Sequence, residues 1–228
     1  CIRCGKCVEV CPQRALSPGN PFFIDRERCI QCGQCTAVCP TQALEMKGKR
    51  MTVSEVIREL QKEENLFRRS GGGITLSGGE PLAQPVFARE LLKACKAKGW
   101  HTAMETTGMT SKAVIEDVFP WVDLALTDIK AVNPTIHQLN TGVDNRTILE
   151  NLIRISFITH VIVRIPVIPG VNDSPEEIRS IAEFARLMSG VDTIHLLPYH
   201  TFGENKYTLL GRIYPMGDAG SHSEDKMA

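Results

Sequence analysis

Nine cysteines stand at positions 1, 4, 7, 11, 29, 32, 35, 39 and 95. Eight of them build two copies of one pattern, C-x2-C-x2-C-x3-C-P, from Cys1 to Pro12 and from Cys29 to Pro40. This is the spacing of bacterial ferredoxins. Three cysteines on a tight loop reach three irons of one cubane, and the fourth, just before the proline, ligates the other cluster. The expected sets are Cys1, Cys4, Cys7 and Cys39 for one 4Fe-4S cluster, and Cys29, Cys32, Cys35 and Cys11 for the second. Gly5 and Gly33 lie inside the loops, where backbone must pack closely on a cluster. Disulfides would need an oxidising compartment. Structural zinc takes paired C-x2-C units rather than four-cysteine runs. The duplicated pattern therefore reads as two clusters, in a reducing, cytoplasmic setting. Cys95 sits in a helical pattern with Leu91 and Leu92 and reads as a buried small hydrophobe, not a ligand.

A second set of chemistry-bearing residues is strung along the rest of the chain, where short apolar runs that read as strands give way to polar groups. Ile74 to Leu76 runs into Ser77-Gly78-Gly79-Glu80-Pro81, and Trp100 to Met104 into Glu105-Thr106-Thr107-Gly108. Val122 to Thr127 leads to Asp128-Ile129-Lys130. His160 to Ile165 carries Arg164 and stops near Pro166, and Thr193 to Leu197 ends at Pro198-Tyr199-His200. Any one of these residues alone reads as a cap or a salt-bridge partner. A polar group at every strand end points to one site built from Glu80, Glu105, Asp128, Lys130, Arg164 and His200. The Gly-Gly-Glu turn also exposes backbone beside a carboxylate, which suits the two charged ends of an amino acid.

The elements that must hold these residues alternate. Residues 1–46 form an internal repeat of about 28 residues, followed by a basic, glycine-containing linker from Lys47 to Arg50. Met51 to Glu63 reads as an amphipathic helix with Val53, Val56, Ile57 and Leu60 on one face. Ser70 to Gly73 reads as a glycine-rich turn. Further helices are expected over Pro85–Lys98, closed by Gly99, over Ser111–Val118, and through Asn151 and Ile155. Ser174-Pro175-Glu176-Glu177 is a capping box that opens a helix to Met188. Strands alternating with helices make an α/β fold with a parallel sheet. The division expected is a ferredoxin-like α+β module over 1–46 and a (β/α) domain over 47–228.

Composition narrows the partners. The 228 residues hold 26 Lys and Arg against 26 Asp and Glu. That balance gives no reason to expect nucleic acid as a partner. No apolar run approaches the roughly 18 residues that span a membrane, and no signal peptide opens the sequence.

The motifs together resemble those of the radical S-adenosylmethionine enzymes. Within them the chain is similar to the glycyl radical enzyme activating enzymes of the pyruvate formate-lyase activating type, whose larger members carry an inserted two-cluster ferredoxin module. The marks are Ser70-Gly71-Gly72-Gly73, Ser77-Gly78-Gly79-Glu80-Pro81, Glu105-Thr106-Thr107-Gly108, Asp128-Ile129-Lys130, Ile165-Pro166-Val167-Ile168-Pro169-Gly170-Val171-Asn172-Asp173 and Leu196-Leu197-Pro198-Tyr199-His200. The resemblance implies a partial TIM-like (β/α) barrel. It implies that Gly78, Gly79 and Glu80 hold the methionyl amino group of S-adenosylmethionine. Glu105, Thr106 and Asp128 would shape the cofactor site and, in the simpler relative, a monovalent-cation site, where that relative carries aspartate in place of Glu105. Lys130, Arg164 and His200 would contact the carboxylate, ribose or adenine surroundings.

One family feature is missing from these residues. The radical cluster's C-x3-C-x2-C triplet does not occur. Relatives carry it just ahead of the ferredoxin insert, and the family's last helix would be cut after Met227, so the expectation is a sequence short at both ends and inactive by itself. In the intact family, reduction of that cluster cleaves S-adenosylmethionine, and the 5′-deoxyadenosyl radical takes hydrogen from a glycine of a partner glycyl radical enzyme. Flavodoxin or ferredoxin would donate the electron. Two rival readings stand beside this one: an electron-transfer iron–sulfur protein without chemistry of its own, and a radical enzyme acting on a small molecule.

Overall fold

The computed structural model describes residues 1–217 and 219–223, so the expected cut after Met227 lies outside them. Contacts divide the described residues into two units. One is Cys1–Arg50 with His200–Ala219, and the other is Met51–Tyr199 with the described residues after Ala219.

In the first unit the sequence repeat becomes a structural one. Each cysteine motif forms a single helical turn, α1 over Lys6–Glu9 and α2 over Gln34–Ala37. Each is entered through a left-handed glycine, Gly5 at φ 78° and Gly33 at φ 77°, a conformation that side chains resist. Ala15 and Leu16 are the buried apolar residues of this unit, and Leu16 bridges Ile24 antiparallel.

The second unit begins with α3, Val53–Leu60, opened by a capping box. The Thr52 hydroxyl accepts from the Glu55 N–H at 3.3 Å, and the Glu55 carboxylate accepts from the Thr52 N–H at 2.7 Å. The expected helix stops short of Glu63, and a 3-10 turn leads into α4, Glu64–Ser70, which the periodicity did not reveal. Phe67 of α4 packs edge-on against Trp100, 5.2 Å between ring centres, and that burial holds a helix too short to persist alone. Gly71, at φ 66°, ends it.

Five strands follow: β1 Gly73–Leu76, β2 His101–Thr106, β3 Leu124–Asp128, β4 His160–Val167 and β5 Thr193–Pro198. All pair parallel in the order β1-β2-β3-β4-β5. A doubly wound sheet reverses its order at a switch point. A monotonic order with right-handed crossovers keeps every helix on one face, which is the logic of a barrel left open. Between the strands run α5 Pro85–Lys96, α6 Lys112–Val118, α7 Pro134–Thr141 with α8 Arg146–Ser156, and α9 Pro175–Ala185. The expected helix through Asn151 is thus two helices, because Gly142 turns left-handed at φ 83° and closes α7. Helix α9 ends at Ala185 rather than Met188. A last helix, α10 Glu204–Leu209, belongs to the first unit. There the Arg26 guanidinium donates to the Leu209 carbonyl at 2.5 Å.

Strand alternation sorts the side chains. Met104, Ala125, Val161, Val163 and Ile165 face the helices and are buried against Leu92, Ile115, Leu152, Ile155 and Ile181. Cys95 lies in this core, fully buried, with its thiol pushed up to about 11 by burial. That keeps it protonated, as expected of a residue that packs rather than ligates. At β1, a Cβ on Gly73 would fall 1.8 Å from the His101 carbonyl oxygen, so only glycine lets β1 sit against β2.

The strand starts are locked by Asp123. Its Oδ2 accepts from the Thr102 N–H at 2.9 Å, and its Oδ1 pairs with Lys96. Burial alone would raise this carboxyl, but Lys96 and Thr102 outweigh it and hold it below the usual range. A carboxyl depressed in the folded state contributes stability above its unfolded pKa, near 3.9, and loses it as pH falls through the folded value. We therefore expect Asp123→Asn to lower the thermal midpoint at neutral pH and to flatten its decline as the pH falls below about 4. Calorimetry across that range checks this, and an unchanged acid slope would contradict the lock.

Candidate functional site

The C-terminal ends of β1 to β4 carry a continuous chain of charge. Register places Asp128 on β3 directly opposite Arg164 on β4. The Arg164 Nε donates to Asp128 Oδ1 at 2.9 Å, and its Nη1 reaches across β3 to Glu105 Oε1 on β2 at 2.8 Å. The other Glu105 oxygen accepts from the Ser77 hydroxyl, just past β1, at 2.5 Å. The other Asp128 oxygen lies 3.5 Å from Lys130 Nζ. All of these groups are on the sheet face opposite the helices, which follows from the two-residue period. The arginine is four-fifths covered. Burial would lower its pKa, but Asp128 and Glu105 more than offset this and raise it. Glu105 is held below the usual carboxylate range, first by the Ser77 hydroxyl and then by Arg164, against an opposing effect of burial.

Glu80 is held differently. Its Oε1 accepts from the Leu82 N–H at 3.1 Å and the Thr106 hydroxyl at 2.8 Å. Its Oε2 accepts from the Thr107 N–H at 3.0 Å and the Thr107 hydroxyl at 2.8 Å. Four neutral donors thus tie the turn after β1 to the end of β2. Gly78 stands at φ 115°, and neither Gly78 nor Gly79 has an atom within 4 Å of where a Cβ would sit. The turn therefore presents bare backbone to open space, fixed from behind by Glu80. Thr106 faces the helix side, where its hydroxyl also accepts from the Gly108 N–H at 3.0 Å.

His200 has local partners. It falls in the other unit, stacked on Phe202 at 4.5 Å, with Nδ1 accepting from the Phe202 N–H at 3.3 Å. The alternation that marks strand ends lapses once the chain leaves β5, so its spacing carried no information about its neighbours.

Three buried asparagines that sequence reasoning missed hold the loops in place. Asn172, with no exposed surface, accepts from the Ile168 N–H at 2.7 Å. It donates to the carbonyls of Lys130 at 2.7 Å and Pro166 at 2.8 Å, joining the ends of β3 and β4. Asn151 donates to the carbonyls of Gly108 and Thr110 after β2, and Asn145 to those of Ala131 and Val132 after β3. One signal was available: asparagine is a poor choice inside an apolar helix such as α8 unless it bonds backbone elsewhere.

In the first unit, Cys1, Cys4, Cys7 and Cys39 line one cavity of about 590 Å³ with Ile2, Phe23 and Leu44. Three come from the first motif and one from the second. Cys35 has its thiol raised first by burial, with Cys29 and, from the other motif, Cys11 also adding to the rise. Backbone N–H groups point at two of the sulfurs: Arg3 at Cys1, 3.4 Å away, and Ala15 at Cys11, 3.3 Å away. Cys39 is held below the usual thiol range, chiefly by the Leu44 backbone. Among the described residues no three Cys, His, Asp or Glu side chains surround a single-ion position. Thiols spread around a cavity suit a polynuclear cluster, and the residues present fit one.

Two family models match the chain, and their matches overlap over residues 26–43. Residues 26–185 match the Radical SAM superfamily and residues 1–43 match the 4Fe-4S dicluster domain. The (2S)-3-sulfopropanediol dehydratase activating enzyme of Klebsiella oxytoca is 40% identical over 94% of this chain and 69% of its own length. The isethionate sulfite-lyase activating enzyme of Oleidesulfovibrio alaskensis is 44% identical over 95% of this chain and 71% of its own. Among solved structures, a domain of a pyruvate-formate lyase-activating enzyme from Bacteroides vulgatus superposes with a TM-score of 0.56 at 34% identity, covering 68% of this chain and 88% of that one.

Proposed function

The chain belongs to the radical S-adenosylmethionine superfamily, among its glycyl radical enzyme activating enzymes, and from that premise we propose how its own residues serve that activity. Its cofactors are 4Fe-4S clusters and S-adenosylmethionine. With the radical cluster bound and supplied with one electron, S-adenosylmethionine would give methionine and a 5′-deoxyadenosyl radical, which would take a hydrogen atom from a glycine of the partner enzyme. What the chain itself does is bind and orient.

The observation that carries the assignment is the open Gly78-Gly79 turn held against β2 by Glu80, beside the charge chain from Ser77 to Lys130. In our reading the turn's bare backbone receives the methionyl amino group. Glu80 acts behind it as a positioning residue, because its carboxylate already takes four hydrogen bonds. Thr106 anchors the turn from β2. Glu105, Asp128 and Arg164 form the polar floor, with Lys130 at its edge able to turn toward the cofactor's carboxylate. In the first unit we assign Cys1, Cys4, Cys7 and Cys39 to one cluster and Cys29, Cys32, Cys35 and Cys11 to the other. A flavodoxin or ferredoxin would be the electron donor.

The test is electron paramagnetic resonance of the chain, joined to a C-x3-C-x2-C segment that supplies the radical cluster, mixed anaerobically with a glycyl radical enzyme and S-adenosylmethionine. A doublet that disappears when the partner's loop glycine is changed to alanine is the expected outcome. Cofactor cleavage without any protein radical, accompanied by turnover of a small metabolite, would overturn it.

A further inference from the structure

The monovalent cation implied for Glu105, Thr106 and Asp128 does not fit the residues as they stand. Both Glu105 oxygens are taken, by Arg164 at 2.8 Å and Ser77 at 2.5 Å. Asp128 is taken by Arg164 at 2.9 Å and faces Lys130 at 3.5 Å. The Thr106 hydroxyl lies on the other face of the sheet and is bonded to Glu80. We infer that this chain carries its cation covalently: the Arg164 guanidinium bridges Glu105 and Asp128 where a metal ion would otherwise join them, and the site works without one.

Geometry explains why this works here. Glu105 and Arg164 stand on β2 and β4 with β3 between them. Two strand spacings are roughly 10 Å, more than an arginine spans comfortably alone. A glutamate closes the gap. An aspartate at that position would end one carbon, roughly 1.5 Å, short, leaving a space between two carboxylates for a loose ion to fill. The longer residue and the guanidinium therefore belong to one arrangement.

Charge leads to the same conclusion. Glu105, Asp128, Arg164 and Lys130 sum to zero, so the cluster carries no net negative charge to draw a cation from water. A guanidinium stays protonated at any working pH, and its fork offers two donors to two acceptors where an ion offers only a sphere. The arrangement stands whether or not the cofactor assignment above does, and the experiment needs no cofactor.

Titration of the full chain with thallium(I), a stand-in for potassium visible by NMR, decides the matter. The native chain is expected to show only weak, non-saturating binding, and the same thermal midpoint in potassium as in tetramethylammonium chloride. Arg164→Met, which leaves both carboxylates and removes their counter-charge, is expected to bind thallium saturably and roughly tenfold or more tighter, with a higher midpoint in potassium. Arg164→Lys keeps the charge and should stay indifferent. One-site saturable binding by the native chain, lost in Asp128→Asn, would overturn the inference. So would a folded Arg164→Met protein that takes up no ion. If Arg164→Met does not fold, the comparison of the native chain with Asp128→Asn decides alone.

Discussion

Changing Cys39 to serine should halve the iron of the anaerobically reconstituted chain, from about eight atoms to about four, and should do so by emptying the site of the other motif. Cys39 lies in the second cysteine run by sequence, but it lines the cavity formed by Cys1, Cys4 and Cys7. Its thiol is held below the usual range, chiefly by the Leu44 backbone, a shift in the direction of the thiolate form that ligates. Double variants separate crossed ligation from the alternative in which each run holds its own cluster. With crossing, adding Cys4→Ser to Cys39→Ser removes no further iron, because both residues serve one cluster. Adding Cys32→Ser instead should remove the remaining four or so atoms. The opposite pattern would show that each motif is self-contained. Tight zinc in place of a brown chromophore would remove the cluster assignment altogether.

Asn172→Leu is expected to be the most damaging single change in the second unit outside the apolar core. Leucine matches the shape of asparagine but supplies no hydrogen bond. The Ile168 N–H and the carbonyls of Lys130 and Pro166 would each lose a partner within 2.8 Å, at a position with no exposed surface. Each lost bond costs about 1 kcal/mol, and each buried group left unsatisfied adds to this, for a total of about 3–5 kcal/mol. For a unit of this size that is a fall of roughly 10 °C in thermal midpoint. Asn172→Asp should fare no better, since it keeps the acceptor for Ile168 but sets a negative charge against two carbonyls. A loss below about 1 kcal/mol would mean that water replaces the side chain and that β3 and β4 are not joined through it.

What could be read in advance, and what could not, divides by distance along the chain. The two cysteine runs, the strand starts and the N-cap at Ser174 are local patterns, legible within a dozen residues, but the expected capping box there stays open. The Ser174 hydroxyl accepts from the Glu177 N–H at 3.2 Å, while the Glu177 carboxylate turns to the Val132 N–H at 2.9 Å. The polar residues at the strand ends were legible too, because parallel strands point their ends one way. Their partners were not. Arg164 bonds a residue on a strand two places away, and Asn172 bonds a carbonyl 42 positions earlier. Helix α4 carries Arg68 and Arg69 and no clear stripe, and only Phe67 against Trp100 explains it. Glu80 shows the same limit at one residue: its identity was plain, but the four donors around it became visible only with β2 alongside.

The strand order has a consequence for the time course of folding. Each strand pairs with the one just before it, so every pairing closes a loop of only roughly 20 to 40 residues. The entropy of closing such loops is modest, and the sheet can lengthen strand by strand as the chain leaves the ribosome. The cysteine unit follows a different schedule. Its Arg26–Leu209 bond joins residues 183 positions apart, so its last piece is synthesised only after all five strands. The module that precedes the strands is therefore completed only after them, and its thiols stay without that closing contact while the strands are made.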